Sequence, residues 1–155
     1  MEMRKKKLPI GIENFEDIIK ENFYYVDKTG FIAELLHNWG VVNLFTRPRR
    51  FGKSLNMSML EHFFSMEGDK SIFDGLEIAK ETALCREYMG KYPVVFVSLK
   101  GRDALSYETA FQMGVLVMKR AAAKVQYLLD SDVLSEQDKS DYRGFLDSDM
   151  KEAVF

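Results

Sequence analysis

Apolar residues recur at helical spacing through most of the chain, and this pattern predicts six helices. Each of these stretches opens on a capping residue or follows a turn, as helices do. They begin near Asn14, Thr29, Lys53, Ala79, Ala104 and Ser135. The fifth is long and reaches Asp130, and the last runs to about Leu146.

Two short runs have a different pattern. Val41–Phe45 and Val94–Leu99 are apolar at nearly every position and rich in β-branched residues, which is typical of strands covered on both faces. Helices alternating with such strands predict an α/β layer fold with parallel strands. Two strands are too few to organise this much helix, so the sequence predicts an incomplete parallel sheet with flanking helices.

Composition narrows the class of protein. A net charge of −2 and a pI near 5.8 exclude a chain that is basic overall, so any anion site must come from a local cluster such as Arg4–Lys7 or Arg47–Lys53. The single cysteine, Cys85, excludes an internal disulfide, and with two histidines there is little material for a zinc site. No signal-peptide pattern and no membrane-length apolar run occur, so we expect a cytoplasmic protein that does not enter a membrane.

One turn carries the strongest chemical signal. The stretch VVNLFTRPRRFGKS (41–54) places Gly52-Lys53-Ser54 between a predicted strand and a predicted helix. A phosphate-binding loop needs a glycine where the backbone meets the phosphates, a lysine that reaches them, and a hydroxyl for Mg²⁺. Arg47 stands where the usual pattern has its first glycine. The alternative is a common tripeptide in a solvated turn, but the flanking elements favour an anion site.

Four stretches together resemble one protein family. LPIGIENF (8–15), YYVDKT (24–29), NLFTRPRRFGKSLN (43–56) and YPVVFVSL (92–99) resemble the bacterial AAA-ATPase-like domain family. Members of that family often carry a nuclease-like domain of the PD-(D/E)XK type after the ATPase module. Its loop is similar to T-R-P-R-R-F-G-K-[ST], so Arg47 is the family's normal residue. The resemblance covers essentially the whole chain, 1–155, as one P-loop NTPase-like domain, and is strongest over the first 65 or so residues.

The resemblance implies ATP and Mg²⁺ as cofactors. It implies nucleotide contacts from a loop set that comprises Arg49, Arg50, Phe51, Gly52, Lys53 and Ser54. Within this set, Lys53 would act on the phosphates as the catalytic lysine and Ser54 would hold Mg²⁺. Asp27 and Lys28 would lie near the base or sugar. An equally good interpretation makes Thr29 a helix cap that Asp27 supports, without a ligand.

Hydrolysis of ATP requires more than this loop. An acidic residue that helps to hold Mg²⁺ commonly follows an apolar strand, but Val94–Leu99 is followed by Lys100. We therefore expect the chain to be the N-terminal part of a longer ATPase, ending before the acidic strand. On this hypothesis it binds nucleotide weakly and hydrolyses it negligibly.

Two other functions stay open at this point. Arg47, Arg49, Arg50 and Lys53 could bind a nucleic-acid backbone or a protein without nucleotide turnover, and a nuclease-like domain that follows would add a nucleic-acid partner. Phe45 and Phe51 could stack on bases, but we expect both rings to face the core. The apolar stripe Phe111–Leu129 is either core or a surface for self-association.

Overall fold

The computed structural model describes residues 6–38, 40–100 and 105–147. The chain divides into two compact units, Met1–Tyr92 and Pro93–Phe155. Arg4 and Lys5 of the first basic cluster lie outside the described residues. So does Ala104, where the fifth helix was predicted to begin.

In its described residues, the first unit contains four helices and two 3₁₀ turns. The helices are α1 (Phe15–Lys20), α2 (Gly30–His37), α3 (Lys53–Phe64) and α4 (Thr82–Tyr88), and the 3₁₀ turns are Lys70–Phe73 and Glu77–Lys80. The predicted cap of α1 is confirmed, because the Asn14 side chain accepts hydrogen bonds from the backbone N–H groups of Glu16 and Asp17 at 2.8 and 3.3 Å.

The core of this unit lies where α1, α2 and α3 meet the 3₁₀ turns. Its fully buried side chains include Phe15, Ile32, Met59, Phe63, Phe73 and Ile78. The ring of Phe73 lies between two others, 5.2 Å from the centroid of Phe15 and 5.4 Å from that of Phe63. The buried Ser58 hydroxyl accepts a hydrogen bond from the N–H of Phe15 at 3.1 Å, which joins the start of α1 to α3.

The C-terminal end of α3 is held by several hydrogen bonds. The carbonyl oxygens of Phe63 and Phe64 accept from the N–H groups of Gly90 and Tyr92 at 2.8 and 3.0 Å, and the His62 carbonyl accepts from Lys70 Nζ at 2.7 Å. Helix carbonyls that lack an intrahelical partner therefore find partners outside the helix. This anchoring fixes the direction of α3 and hence the position of its opposite end.

The second unit contains α5 (Tyr107–Lys124), a 3₁₀ turn Gln126–Asp130 and α6 (Glu136–Asp147). The α-helical part of the predicted long helix ends at Lys124, before the 3₁₀ turn. Two bonds join the helices: the Tyr142 hydroxyl donates to the Ala122 carbonyl, and Lys119 Nζ donates to the Leu146 carbonyl at 3.2 Å. Among the helices described, none is both long and apolar enough to cross a membrane.

The apolar stripe of α5 is only partly core. Of its residues, Val125 is buried directly after the helix, whereas Met118 is 49% exposed. The buried positions within α5 itself, Val117 and Ala121, are not part of the predicted stripe. The expectation of self-association through this stripe stays a prediction.

The predicted α/β fold with an incomplete parallel sheet is wrong. Within the ranges described, the chain forms helices and no strand, and the sole β-type pairing is an isolated parallel bridge between Ser65 and Tyr92. Val41–Phe45 and Val94–Leu99 are neither helix nor strand.

The side chains of the two segments explain the error. Val41, Val42 and Leu44 are 84% exposed or more, and in the second segment Val95 and Leu99 are 56% and 71% exposed. An apolar, β-branched composition favours a strand only when a neighbouring backbone accepts and donates the ladder hydrogen bonds and other elements cover its faces. Neither condition is met for these residues in the part of the chain described.

Candidate functional site

The Gly52-Lys53-Ser54 turn lies at the start of α3. Gly52 occupies the N-cap position in a left-handed conformation, with φ of 74°. Arg50, two residues earlier, also has a positive φ, 67°, which is uncommon for a residue with a Cβ. These two positions turn the chain sharply into the helix, and the glycine takes the second turn without steric cost.

The Lys53 side chain folds back over the loop. Its Nζ donates to the carbonyl oxygens of Arg47 and Pro48, at 2.5 and 2.9 Å. The ammonium group thus lies against the loop backbone, and the side chain remains exposed. The loop therefore holds a positive charge next to the first turn of α3.

The N-terminal end of α3 has no side-chain cap. The first N–H groups of a helix lack intrahelical acceptors, and the helix dipole adds a partial positive charge there. Ser54 is exposed in this first turn. Of the two ends of α3, the C-terminal one is anchored and the N-terminal one can accept an anion.

A cavity of about 880 Å³ lies beside this turn. That volume is within the range of roughly 300–1,000 Å³ for small-molecule sites. Its wall comes from α2, from the segment before the Gly52-Lys53-Ser54 turn, from α3 and from the stretch 77–81. The lining residues are Lys28, Gly30, Phe31, Ala33, Glu34, Leu44, Phe45, Thr46, Arg47, Phe51, Lys53, Asn56, Met57, Glu77, Ile78 and Glu81. All of these residues belong to the first unit.

Some of the predicted ligand residues line this cavity and others do not. Lys28, Phe51 and Lys53 line it, together with Arg47. Among the described loop residues, those outside its wall are Arg49, Arg50, Gly52 and Ser54. Phe45 and Phe51 are 42% and 59% exposed, so the prediction that both rings face the core is wrong. The rings of Phe31 and Phe45 form an edge-to-face pair with centroids 4.9 Å apart.

The structure agrees in part with the interpretation of Thr29 as a helix cap that Asp27 supports. Asp27 Oδ1 accepts from the N–H and the hydroxyl of Thr29 at 2.8 and 2.7 Å, and Oδ2 accepts from the N–H of Glu77 at 2.7 Å. The Thr29 hydroxyl in turn accepts from the N–H of Ile78 at 3.0 Å. Thr29 stands at the N-cap position of α2 but makes no capping bond with its side chain. The pair ties the start of α2 to the turn at 77–80.

The same contacts set the pKa of Asp27. Partial burial alone raises the pKa of this carboxyl group, but the hydrogen bonds from Thr29 and Glu77 and the nearby charge of Lys80 outweigh burial. The net effect lowers the pKa below its ordinary value of 3.8, so the group is a carboxylate at neutral pH.

Sequence reasoning missed three residues of the cavity wall, Glu34, Glu77 and Glu81, which we call the acidic wall. The sequence pattern predicts a carboxylate of the site only after an apolar strand. These residues instead lie in α2 and around the 3₁₀ turn Glu77–Lys80. Local spacing does not reveal them, because a separation of four residues places Glu77 and Glu81 on one face only in an α-helix, whereas Glu77–Lys80 is a 3₁₀ turn. Across the described residues, no group of three or more His, Cys, Asp or Glu side chains is arranged to hold a metal ion.

Comparisons with known proteins match this chain to one family. A family model described as predicted AAA-ATPase matches residues 9–152. An uncharacterized protein encoded in the vnfD 5′ region of Azotobacter chroococcum mcd 1 is 39% identical over 110 residues, which is 68% of this chain and 20% of that protein. The matched part thus spans about a fifth of that relative's length. No solved structure matches the chain.

Proposed function

Because the chain belongs to the predicted AAA-ATPase family, we propose that it binds a nucleoside triphosphate, ATP together with Mg²⁺, in the cavity beside the Gly52-Lys53-Ser54 turn. The family model and the local geometry support this proposal independently. The geometry alone favours a phosphate ligand, and the family favours ATP among the phosphate ligands.

The observation that carries the proposal is the Lys53 ammonium group held by the loop beside an uncapped helix start. Backbone N–H groups, helix dipole and ammonium charge all favour an anion at the same point. A phosphate oxygen can accept from Lys53 without displacing the loop, because an ammonium group has three N–H donors and the two carbonyl oxygens occupy two of them.

The neighbouring residues take roles that follow from their positions. Arg47 lines the cavity and adds a second cation to the phosphate end. The Ser54 hydroxyl is exposed in the first turn of α3, where it is available as a ligand of Mg²⁺. Since no cluster of three metal-ligating side chains occurs in the described ranges, Mg²⁺ would arrive bound to the phosphates. The ion supplies charge neutralisation to the phosphate chain.

Thermal unfolding of the full chain with and without Mg-ATP tests the proposal. ATP at about 100 times its Kd should stabilise the native state by about 2.7 kcal/mol and raise Tm by several degrees. The shift should disappear in Lys53→Ala, which loses the ammonium group. Lys91→Ala is the matched control, because Lys91 is an exposed lysine outside the cavity wall.

Two results would contradict the proposal: no ATP-dependent shift in a chain that melts cooperatively, or an equal shift in Lys53→Ala. A single-stranded oligonucleotide that binds through Lys53 while ATP fails to displace it would favour nucleic-acid binding instead. Negligible turnover of ATP by this chain stays a prediction from the sequence.

A further inference from the structure

The cavity wall carries positively charged side chains on the loop and negatively charged ones on other elements. Arg47 and Lys53 bring positive charge from the loop, and the acidic wall brings three carboxylates from other elements. A carboxylate only accepts hydrogen bonds and repels phosphate. A nucleotide in this cavity therefore has its phosphates at the loop, and any part that meets the acidic wall must donate hydrogen bonds.

Glu77 is the member of the acidic wall whose position is best fixed. Its N–H is bound by Asp27 Oδ2 at 2.7 Å, and the N–H of the next residue, Ile78, is bound by the Thr29 hydroxyl at 3.0 Å. Its carboxylate lies against Gly30, so close that a Cβ there would be 3.0 Å from Oε2. These bonds fix the backbone of Glu77, and its exposed carboxylate lies beside the first residue of α2.

Two aromatic rings line the same cavity as this carboxylate. Phe31 directly follows Gly30 and forms the edge-to-face pair with Phe45, and both rings line the cavity. Exposed aromatic rings bind nucleobases by stacking. A base stacked on an exposed face of this pair would keep its sugar in the cavity that Glu77 and the charged loop both line.

On the basis of the proposed function, we infer that Glu77 accepts hydrogen bonds from the ribose hydroxyl groups of the bound nucleotide, and that the cavity thereby selects ribonucleotides. The 2′- and 3′-hydroxyls are the donors that a nucleotide offers between its base and its phosphates. Asp27 and Thr29 are positioning residues in this arrangement, because they hold the backbone of Glu77 and Ile78 and do not themselves contact the nucleotide.

Calorimetric titration of the full chain with ATP and with 2′,3′-dideoxy-ATP tests the inference. Hydrogen bonds to a charged acceptor predict that ATP binds about tenfold more tightly, or better. Glu77→Met removes the acceptor at similar length and should bring the two affinities within about twofold. Glu77→Gln keeps a neutral acceptor and should retain part of the preference. Glu21→Gln, at an exposed carboxylate outside the cavity wall, should leave the ratio unchanged.

Inorganic tripolyphosphate separates this inference from the proposed function. It carries no sugar, so its affinity should fall in Lys53→Ala and should not fall in Glu77→Met. Equal affinity for ATP and dideoxy-ATP, or a preference that survives in Glu77→Met, would overturn the ribose contact while leaving phosphate binding intact. Weaker tripolyphosphate binding in Glu77→Met would assign Glu77 a structural role instead. Tripolyphosphate and ATP affinities that do not depend on Lys53 would refute the proposed function itself.

Discussion

Asp27 shows how one side chain can connect two elements of a site without contacting a ligand. Its two oxygens accept three hydrogen bonds from Thr29 and Glu77. These bonds hold the carboxylate form in the folded state, which lowers the pKa, and by linkage the same bonds stabilise the fold. The stabilisation is complete above the ordinary pKa of 3.8 and is lost as the pH falls through the lower folded-state value.

Asp27→Asn should therefore reduce stability in a pH-dependent way. The amide group would present N–H donors where Oδ2 now accepts from Glu77, so we expect a loss of about 2 kcal/mol at pH 6. Urea unfolding of both chains at pH 6 and at pH 3 measures the difference. The gap should narrow at pH 3, which lies below the ordinary pKa of 3.8, because the unfolded wild-type chain takes up a proton at this group there. A gap that is absent at pH 6, or that is the same at both pH values, would rule out this role.

The two ends of helix α3 differ in the hydrogen bonding of their backbone groups. Its last carbonyl groups accept hydrogen bonds from Lys70, Gly90 and Tyr92, while its first turn has no side-chain cap and follows a glycine. The anchored end and the buried face, with Met59 and Phe63, hold the helix against the core. The open end can then present its N–H groups without being needed for folding.

Lys70→Met tests this division of roles. Lys70 Nζ donates to the carbonyl groups of His62 and Glu67, both at 2.7 Å, so its loss should destabilise the chain by about 1–2 kcal/mol. The affinity for Mg-ATP, measured under conditions where the variant is folded, should stay within about twofold of the wild-type value. Lys91→Met serves as the control for replacing an exposed lysine. An affinity loss as large as that in Lys53→Ala would show that the two ends of α3 are not independent.

The whole chain consists of two units, and the candidate site belongs to one of them. Every residue that lines the cavity lies before Pro93, and so does the core cluster around Phe15, Phe63 and Phe73. The second unit has its own buried positions, Val117 and Ala121. The A. chroococcum relative is about five times longer than the matched stretch, so the activity of such a longer protein is a separate question from the binding proposed here.

A shortened chain of residues 1–94 tests whether the first unit suffices for binding. It keeps Tyr92, whose N–H and carbonyl groups bond to Phe64 and Met66. We expect a cooperative melt and a Kd for Mg-ATP within about threefold of the full chain, because the lining residues and the core are all retained. A chain that melts cooperatively but binds more than tenfold more weakly would show that the second unit contributes to the site.

Two of the predicted helix caps are confirmed. Asn14 caps α1 as predicted, and Ser135 bonds the N–H of Asp138 at the start of α6, because a capping bond depends on residues only two or three positions apart. The strands were predicted wrongly for the opposite reason. Whether Val41–Phe45 forms a strand depends on a partner from elsewhere, which the composition of the segment does not reveal.

The sequence by itself determined most of the helices, the caps Asn14 and Ser135, and a turn that ends in Gly52-Lys53-Ser54 at the start of α3, because hydrophobic period and neighbouring residues encode these features locally. Only the tertiary structure decided that Lys53 bonds the carbonyls of Arg47 and Pro48, that Asp27 binds the N–H of Glu77 fifty residues away, and that the acidic wall lines the same cavity as the loop. Contacts of this kind depend on how the helices pack around a common core. The residues that packing brings together have no regular spacing along the chain, so the sequence pattern does not predict them.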